Sequence, residues 1–244
     1  MSQSPQVVRV ILLVSCAHAL VHLLEQSVAS VEQVISADFK MTLEQSGFLG
    51  FALRLPYGIG AFFAGLLADR FGEKRILVLY LLGAAVVAAS FMLSSSSSVI
   101  YVQLFSMGAF ASMYHPAGLS LLANQTTPAE RSRALGLHGV FGSLGIASAP
   151  FIAGFMLSVR PGDWRGYYLL LALISCSLGL LVWNLLKPVR HGDEGHAEPM
   201  ATNVKAAVSS APTSMPFQLC PYVPLVIGPA LERTAAGAVL QLPP

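Results

Sequence analysis

The sequence predicts an all-α integral membrane protein with six transmembrane helices, and three observations carry that expectation. Only 11% of the 244 residues are charged and 55% are hydrophobic. A soluble domain carries about 25% charged residues, so this chain has too little polar surface to face water. Six apolar runs, 10–31, 46–68, 76–93, 99–122, 134–159 and 167–186, are long enough to span, because a hydrocarbon core of about 30 Å needs roughly 20 helical residues. Lipid leaves no partner for a free N–H or C=O, so each run must pair its backbone internally as a helix. The alternating stretches of about 10 residues that mark a membrane barrel do not occur.

The first run opens after Arg9, and Leu13-Val14-Ser15-Cys16 has the look of a lipoprotein cleavage site. Only about four apolar residues precede it, where a signal peptide has about 7–15, so the run reads as a retained helix. It holds three ionisable groups. His18, His22 and Glu25 sit at i, i+4 and i+7, within about 60° of arc on one helical face. Charged and titratable groups inside lipid face the protein interior, so these three are expected to line a central cavity, with His and Glu able to exchange protons near neutral pH. A zinc ion on this pair and Glu25 would want a fourth ligand. None is indicated, and no metal or other cofactor is expected.

The second run contains Arg54, whose depth, about 12 Å from one end at 1.5 Å per residue, nearly matches that of Glu25 at about 9 Å. An intramembrane Glu25–Arg54 ion pair is therefore expected. Between the second and third runs lies Gly65-Leu-Leu-Ala-Asp-Arg-Phe-Gly-Glu-Lys-Arg-Ile-Leu77, a short reversal dense in charge. Gly65 suits close helix approach and Gly72 a tight turn. The fourth run places His115 in its last third, followed by Pro116. The fifth opens near His138, expected at the interface, and carries Gly136, Gly139, Gly142 and Gly145 at a three-residue interval. Small residues in register let helices pack backbone to backbone, and Pro150 should bend the outer half.

Lys and Arg counts set the orientation. Arg9, Arg70, Lys74, Arg75, Arg131, Arg133, Lys187 and Arg190 lie on one side; Lys40, Arg160 and Arg165 lie on the other. The positive-inside rule places the first side, and both ends of the block, in the cytoplasm. Residues 1–190 are thus expected as one six-helix domain. Residues 191–244 read as a polar linker and a largely disordered tail, its apolar part broken by Pro221, Pro224 and Pro229, with no seventh membrane helix. Cys16, Cys176 and Cys220 show no disulfide or metal spacing. The formal charge of +2 gives no case for nucleic acid. No Gly-x-Ser-x-Gly, His-Glu-x-x-His or paired-Asp motif occurs, so no enzyme is expected.

The Gly65–Leu77 string resembles the cytoplasmic loop 2–3 signature of the major facilitator superfamily, with Glu73 where that family usually has Arg. Gly136, Gly145, Ala149, Pro150, Ala153 and Gly154 are similar to its antiporter pattern, with alanine at two glycine positions. His18-x-x-x-His22, Tyr114-His115-Pro116 and Gly136-Leu-His138-Gly139 resemble the fosmidomycin-resistance-type efflux branch, and Asp163-Trp164-Arg165 is common across the superfamily. Gln103 and Leu104 stand where an Arg is usual, a departure from the standard proton-coupling arrangement.

The resemblance covers residues 9–187 and implies one half of a two-half transporter. On that basis His18, His22, Glu25, Arg54 and His115 are expected along the substrate and proton path. Gly65, Asp69, Arg70, Gly72, Lys74 and Arg75 are expected as a gating loop. It implies proton-coupled efflux of a small molecule across a bacterial inner membrane, with the lipid bilayer, a substrate, protons and a second half or a homodimer as partners. A truncated or frameshifted gene, yielding a non-transporting fragment, is the alternative expectation, beside a regulatory or scaffolding membrane protein.

Overall fold

The computed structural model describes residues 5–186. The expectations for residues 191–244 lie outside the described residues. Seven helices follow in order: α1 Pro5–Asp38, α2 Leu43–Phe71, α3 Glu73–Ser90 continued by a 3-10 turn Phe91–Leu93, α4 Ser97–Ala111, α5 Tyr114–Gln125, α6 Pro128–Val159 and α7 Trp164–Leu185. Five of them, α1, α2, α3, α6 and α7, are long and apolar enough to cross a membrane. Each contains nearly all of its expected run and most extend past it, α1 by five residues at its start and seven at its end.

The fourth expected span is corrected. Residues 99–122 are not one helix: α4 stops at Ala111, and α5 restarts at Tyr114 after a turn at Ser112 and Met113. Pro116 supplies the reason. Its ring crowds the carbonyl four residues back, which is that of Ser112, and it has no N–H to offer that carbonyl. The break sits where α2 passes close by. A side chain on Gly60 would collide with Ser112, and one on Gly108 would collide with the Leu53 carbonyl.

Local caps fix the helix ends. Thr42 and Gln45 form a reciprocal capping box at the start of α2, and Thr127 and Glu130 do the same for α6. Gly72 adopts φ +87°, a conformation that disfavours any side chain, and its N–H closes α2 onto Ala68. The expected reversal is therefore present. Gly65 has open space around a notional Cβ, so the close approach expected there does not occur among the described residues.

The tightest seam joins α1 to α6. The buried residues of α6 are Ala134, His138, Gly142, Gly145, Ala149 and Ala153, a helical stripe at spacings of three and four. Only two of the four regularly spaced glycines belong to it. Gly145 packs on the Ala19 carbonyl and Gly142 on the His18 ring, whereas Gly136, Gly139 and Gly154 face open space. A strict three-residue interval drifts around a 3.6-residue helix, so Gly136 and Gly139 rotate out of the interface. Pro150 lies on the exposed side. The other end of the bundle is tied by Arg165. Its guanidinium donates to Asp38 Oδ2 at 2.8 Å and to the Ser94 carbonyl at 2.9 Å, and stacks over Trp164 at 4.2 Å. The Trp164 indole also donates to Asp38, at 3.1 Å. This knot joins α1, the α3–α4 turn and α7.

Gly145→Ala forces its new methyl against backbone. It is expected to destabilise the detergent-solubilised protein by about 1–3 kcal/mol, while Gly139→Ala changes stability by less than about 0.5 kcal/mol; paired thermal melts check both. Arg165→Ala removes two hydrogen bonds to a charged donor and is expected to lower stability by about 1–2 kcal/mol. Arg160→Ala breaks only a 3.6 Å pair in which Arg160 is 72% exposed and should leave the melt nearly unchanged.

Candidate functional site

Four histidines converge where α1, α5 and α6 meet. His18 and His22 come from α1, His115 from the first turn of α5, and His138 from α6. Their depths agree. His115 is ten residues from the Gln125 end of α5, His138 is ten from Pro128, and His18 is thirteen from Pro5, which places all three about 15–20 Å from their helix ends. His18 stacks on His138 with ring centroids 3.8 Å apart and on Tyr114 at 5.3 Å. His115 meets the edge of His18 at 5.4 Å and lies 5.6 Å from His22.

The hydrogen bonds define the chemistry. His18 Nδ1 donates to the His138 carbonyl at 2.7 Å; a carbonyl only accepts, so this nitrogen carries the proton. His22 Nδ1 pairs with Glu25 Oε2 at 3.0 Å. With Glu25 ionised, that bond also fixes the His22 proton on Nδ1. The remaining nitrogens, His18 Nε2 and His22 Nε2, face one another at 3.1 Å. In two neutral imidazoles with these tautomers both carry lone pairs, and neither can donate to the other. The arrangement is satisfied when one cation sits in the gap, a proton being the simplest. On its far side His115 Nε2 shares a 2.8 Å hydrogen bond with the Tyr57 hydroxyl of α2. Tyr114 donates to the Val14 carbonyl at 2.8 Å and Tyr80 to that of Ala17 at 3.3 Å, which anchors α1 beneath the cluster.

Sequence reasoning placed His18, His22 and Glu25 on one face, and the structure keeps them there. It brings His115 to them. It also brings His138, which is buried at 4% exposure. Arg54 is exposed on α2 and forms no ion pair with Glu25 among the described residues, yet it lies near enough for its charge to act on the Glu25 carboxylate. The matching depths left the helix rotation open, and His22 already occupies the Glu25 carboxylate. Tyr57 was missed, since a lone tyrosine in an apolar run gives no signal. Gln103 is committed to the α3–α4 turn. Its amide donates to the Ser90 carbonyl at 2.8 Å and its oxygen accepts from Ser94 at 2.6 Å.

The loop residues stand apart from this cluster. Asp69, Arg70 and Arg75 are exposed. Lys74 donates to the Trp183 carbonyl at 2.8 Å and so fastens α3 to the end of α7. Glu73 is buried and accepts from Asn124 at 2.9 Å and Ser120 at 3.1 Å, a contact between α3 and α5 that the sequence did not announce. A separate apolar groove of about 530 Å³ lies between α1, α6 and α7, bordered by Cys16, Leu20, Phe141 and Leu178. It holds none of the histidines.

Five helices long and apolar enough to cross a membrane define a multi-pass integral membrane protein. The chain belongs to the Major Facilitator Superfamily, whose family profile matches residues 14–234. That match runs past residue 187, where the resemblance of the motifs stops. Among curated proteins the chain is 28% identical over 188 residues to the riboflavin transporter RibZ of Clostridioides difficile, covering 74% of this chain and 40% of that protein. It is 31% identical over 156 residues to multidrug resistance protein 2 of Bacillus subtilis, covering 62% and 38%. A bacterial homologue of the human lysosomal transporter Spinster, in an inward-facing and unoccupied conformation, superposes with a TM-score of 0.68 at 16% identity, over 81% of this chain and 46% of that one. The chain thus spans less than half the length of these relatives, and the likeness to the solved structure concerns the fold.

A double-mutant cycle separates the two pairings of Glu25. His22→Gln with Glu25→Gln is expected to give a coupling energy of about 0.5–3 kcal/mol in thermal stability, and Arg54→Gln with Glu25→Gln a smaller coupling, since no hydrogen bond joins that pair.

Proposed function

We propose that this chain forms one half of a secondary transporter that exports a small molecule in exchange for protons, in the fosmidomycin-resistance-type branch of its superfamily. The observation that carries the reading is the gap between His18 Nε2 and His22 Nε2, closed at one side by Glu25 and enclosed between helices. A site that calls for one extra proton is suited to couple proton entry to a change of state. Its position on α1, the helix with the largest buried share together with α3, lets such a change reach α5 and α6 directly. The names of the curated relatives, which include resistance and export proteins, support export over uptake, although a riboflavin transporter is among them.

In this reading the ends bearing Arg70, Lys74, Arg75 and Arg131 face the cytoplasm of a bacterial cell, and the protein resides in the inner membrane. The Asp69–Arg75 loop gates that side, its exposed charges meeting a second half. Transporters of this architecture carry their substrate between two six-helix halves related by an axis along the membrane normal. The second half is supplied by another copy of this chain or by a C-terminal half. The shares of length in the comparisons also favour a second reading, a membrane fragment without transport activity that serves a regulatory or scaffolding role.

The test is a resistance and efflux assay across a panel of hydrophobic antibiotics, in a pump-deficient bacterium with membrane expression confirmed. The transporter reading expects resistance that collapses when the proton gradient is dissipated and that Glu25→Gln abolishes, together with a specific dimer on crosslinking of purified protein. Full expression with no resistance, and only monomer or aggregate on crosslinking, establishes the second reading instead.

A further inference from the structure

The histidine gap also has the dimensions of a metal site. Zinc–imidazole bonds of about 2.0–2.1 Å in a tetrahedron set neighbouring nitrogens about 3.3 Å apart. His18 Nε2 and His22 Nε2 are 3.1 Å apart. One donor nitrogen each from His18, His22 and His115 lies within 4.8 Å of the others, so the third needs to close by about 1.5 Å, a side-chain rotation of His115.

The surrounding shell matches what a metal-binding histidine requires. Such a histidine donates its other ring N–H to a carboxylate, a carbonyl or a similar acceptor, which fixes the tautomer and aims the lone pair. His18 does so to the His138 carbonyl and His22 to the Glu25 carboxylate, while His115 is held through Nε2 by the Tyr57 hydroxyl. Gly142 and the His138 ring close the back of His18, and no side chain larger than hydrogen fits at Gly142 without displacing it. His18, His22 and Glu25, the set that the sequence offered for a metal, lacked a fourth ligand. The third histidine lies on α5, 93 positions from His22, and is brought to the site by the packing of α5 against α1.

We propose that His18, His22 and His115 bind one borderline-soft divalent cation such as Zn2+ or Co2+ in the membrane core, with Glu25 and Tyr57 as orienting residues and a fourth coordination position left to water or a donor atom of a transported molecule. Imidazole donors suit these ions and not the hard cations Mg2+ and Ca2+. The site goes beyond the transport reading and does not depend on it, because binding is read on purified protein without a gradient or a substrate.

The experiment uses the full chain, purified in detergent without an affinity tag, with His191→Gln and His196→Gln removing the other two histidines of the sequence. Co2+ titration is expected to give visible d–d absorption saturating at one equivalent per chain, bleached by Zn2+ and unaffected by Mg2+. His18→Gln, His22→Gln and His115→Gln each abolish the one-equivalent signal. Glu25→Gln and Tyr57→Phe, which preserve side-chain shape, keep the spectrum and weaken binding about tenfold or more; these two keep the test decisive if a histidine variant does not fold, as thermal melts will show. No saturable absorption in the well-folded parent overturns the proposal. So does a signal that survives in a folded His22 or His115 variant, and so does a thiolate-to-cobalt charge-transfer band, which would assign the metal to cysteine.

Discussion

The contact of α1 with α6 sets the rest of the described structure. Gly145 brings the backbone of α6 onto the Ala19 carbonyl, and Gly142 leaves the volume that the His18 ring fills. In lipid no hydrophobic force drives helices together, so close van der Waals packing over small residues and interhelical hydrogen bonds must do so. Both act here within one turn of α1: the small residues admit the helix, and the His18 Nδ1–H bond to the His138 carbonyl locks its rotation. Once α1 is fixed, His22 and Glu25 have defined positions, because a helical face is rigid over two turns.

The second constraint is the interruption between α4 and α5. A continuous helix from 97 to 125 would satisfy every backbone group, and lipid rewards that satisfaction. Pro116 prevents it. The broken backbone at Ser112 and Met113 is tolerated because it lies inside the protein, against Gly60 of α2, with the Ser112 hydroxyl donating to Ala109 at 2.7 Å. The interruption adjoins the histidine cluster: just past it, Tyr114 stacks on the His18 ring and His115 lies 5.6 Å from His22.

The bundle is held by different chemistry at its two ends. At one, Arg165 gathers Asp38, Ser94 and Trp164 into a charged and aromatic knot. At the other, Glu73 is enclosed by Ser120 and Asn124 while Lys74 reaches α7. Much of the apolar surface between these ends remains exposed, with large side chains such as Phe62, Phe63, Phe151 and Phe155 more than half accessible. For a membrane protein that surface is the expected boundary with acyl chains or with a second half.

The sequence alone determined the class, the helical state and the approximate extent of five spans, because bilayer thickness and the need to pair backbone groups act on any apolar run whatever its neighbours. It also determined that His18, His22 and Glu25 share a face, since helix periodicity is local. It did not determine which glycines pack, that Arg54 forms no ion pair with Glu25, that His138 is buried, or that Tyr57 joins the site. Those depend on the rotation of each helix about its axis and on where a proline breaks one, and depth and period leave both free. Only the packing of α1 against α5 and α6 chose the rotations, and with them it assembled four separated histidines into one site.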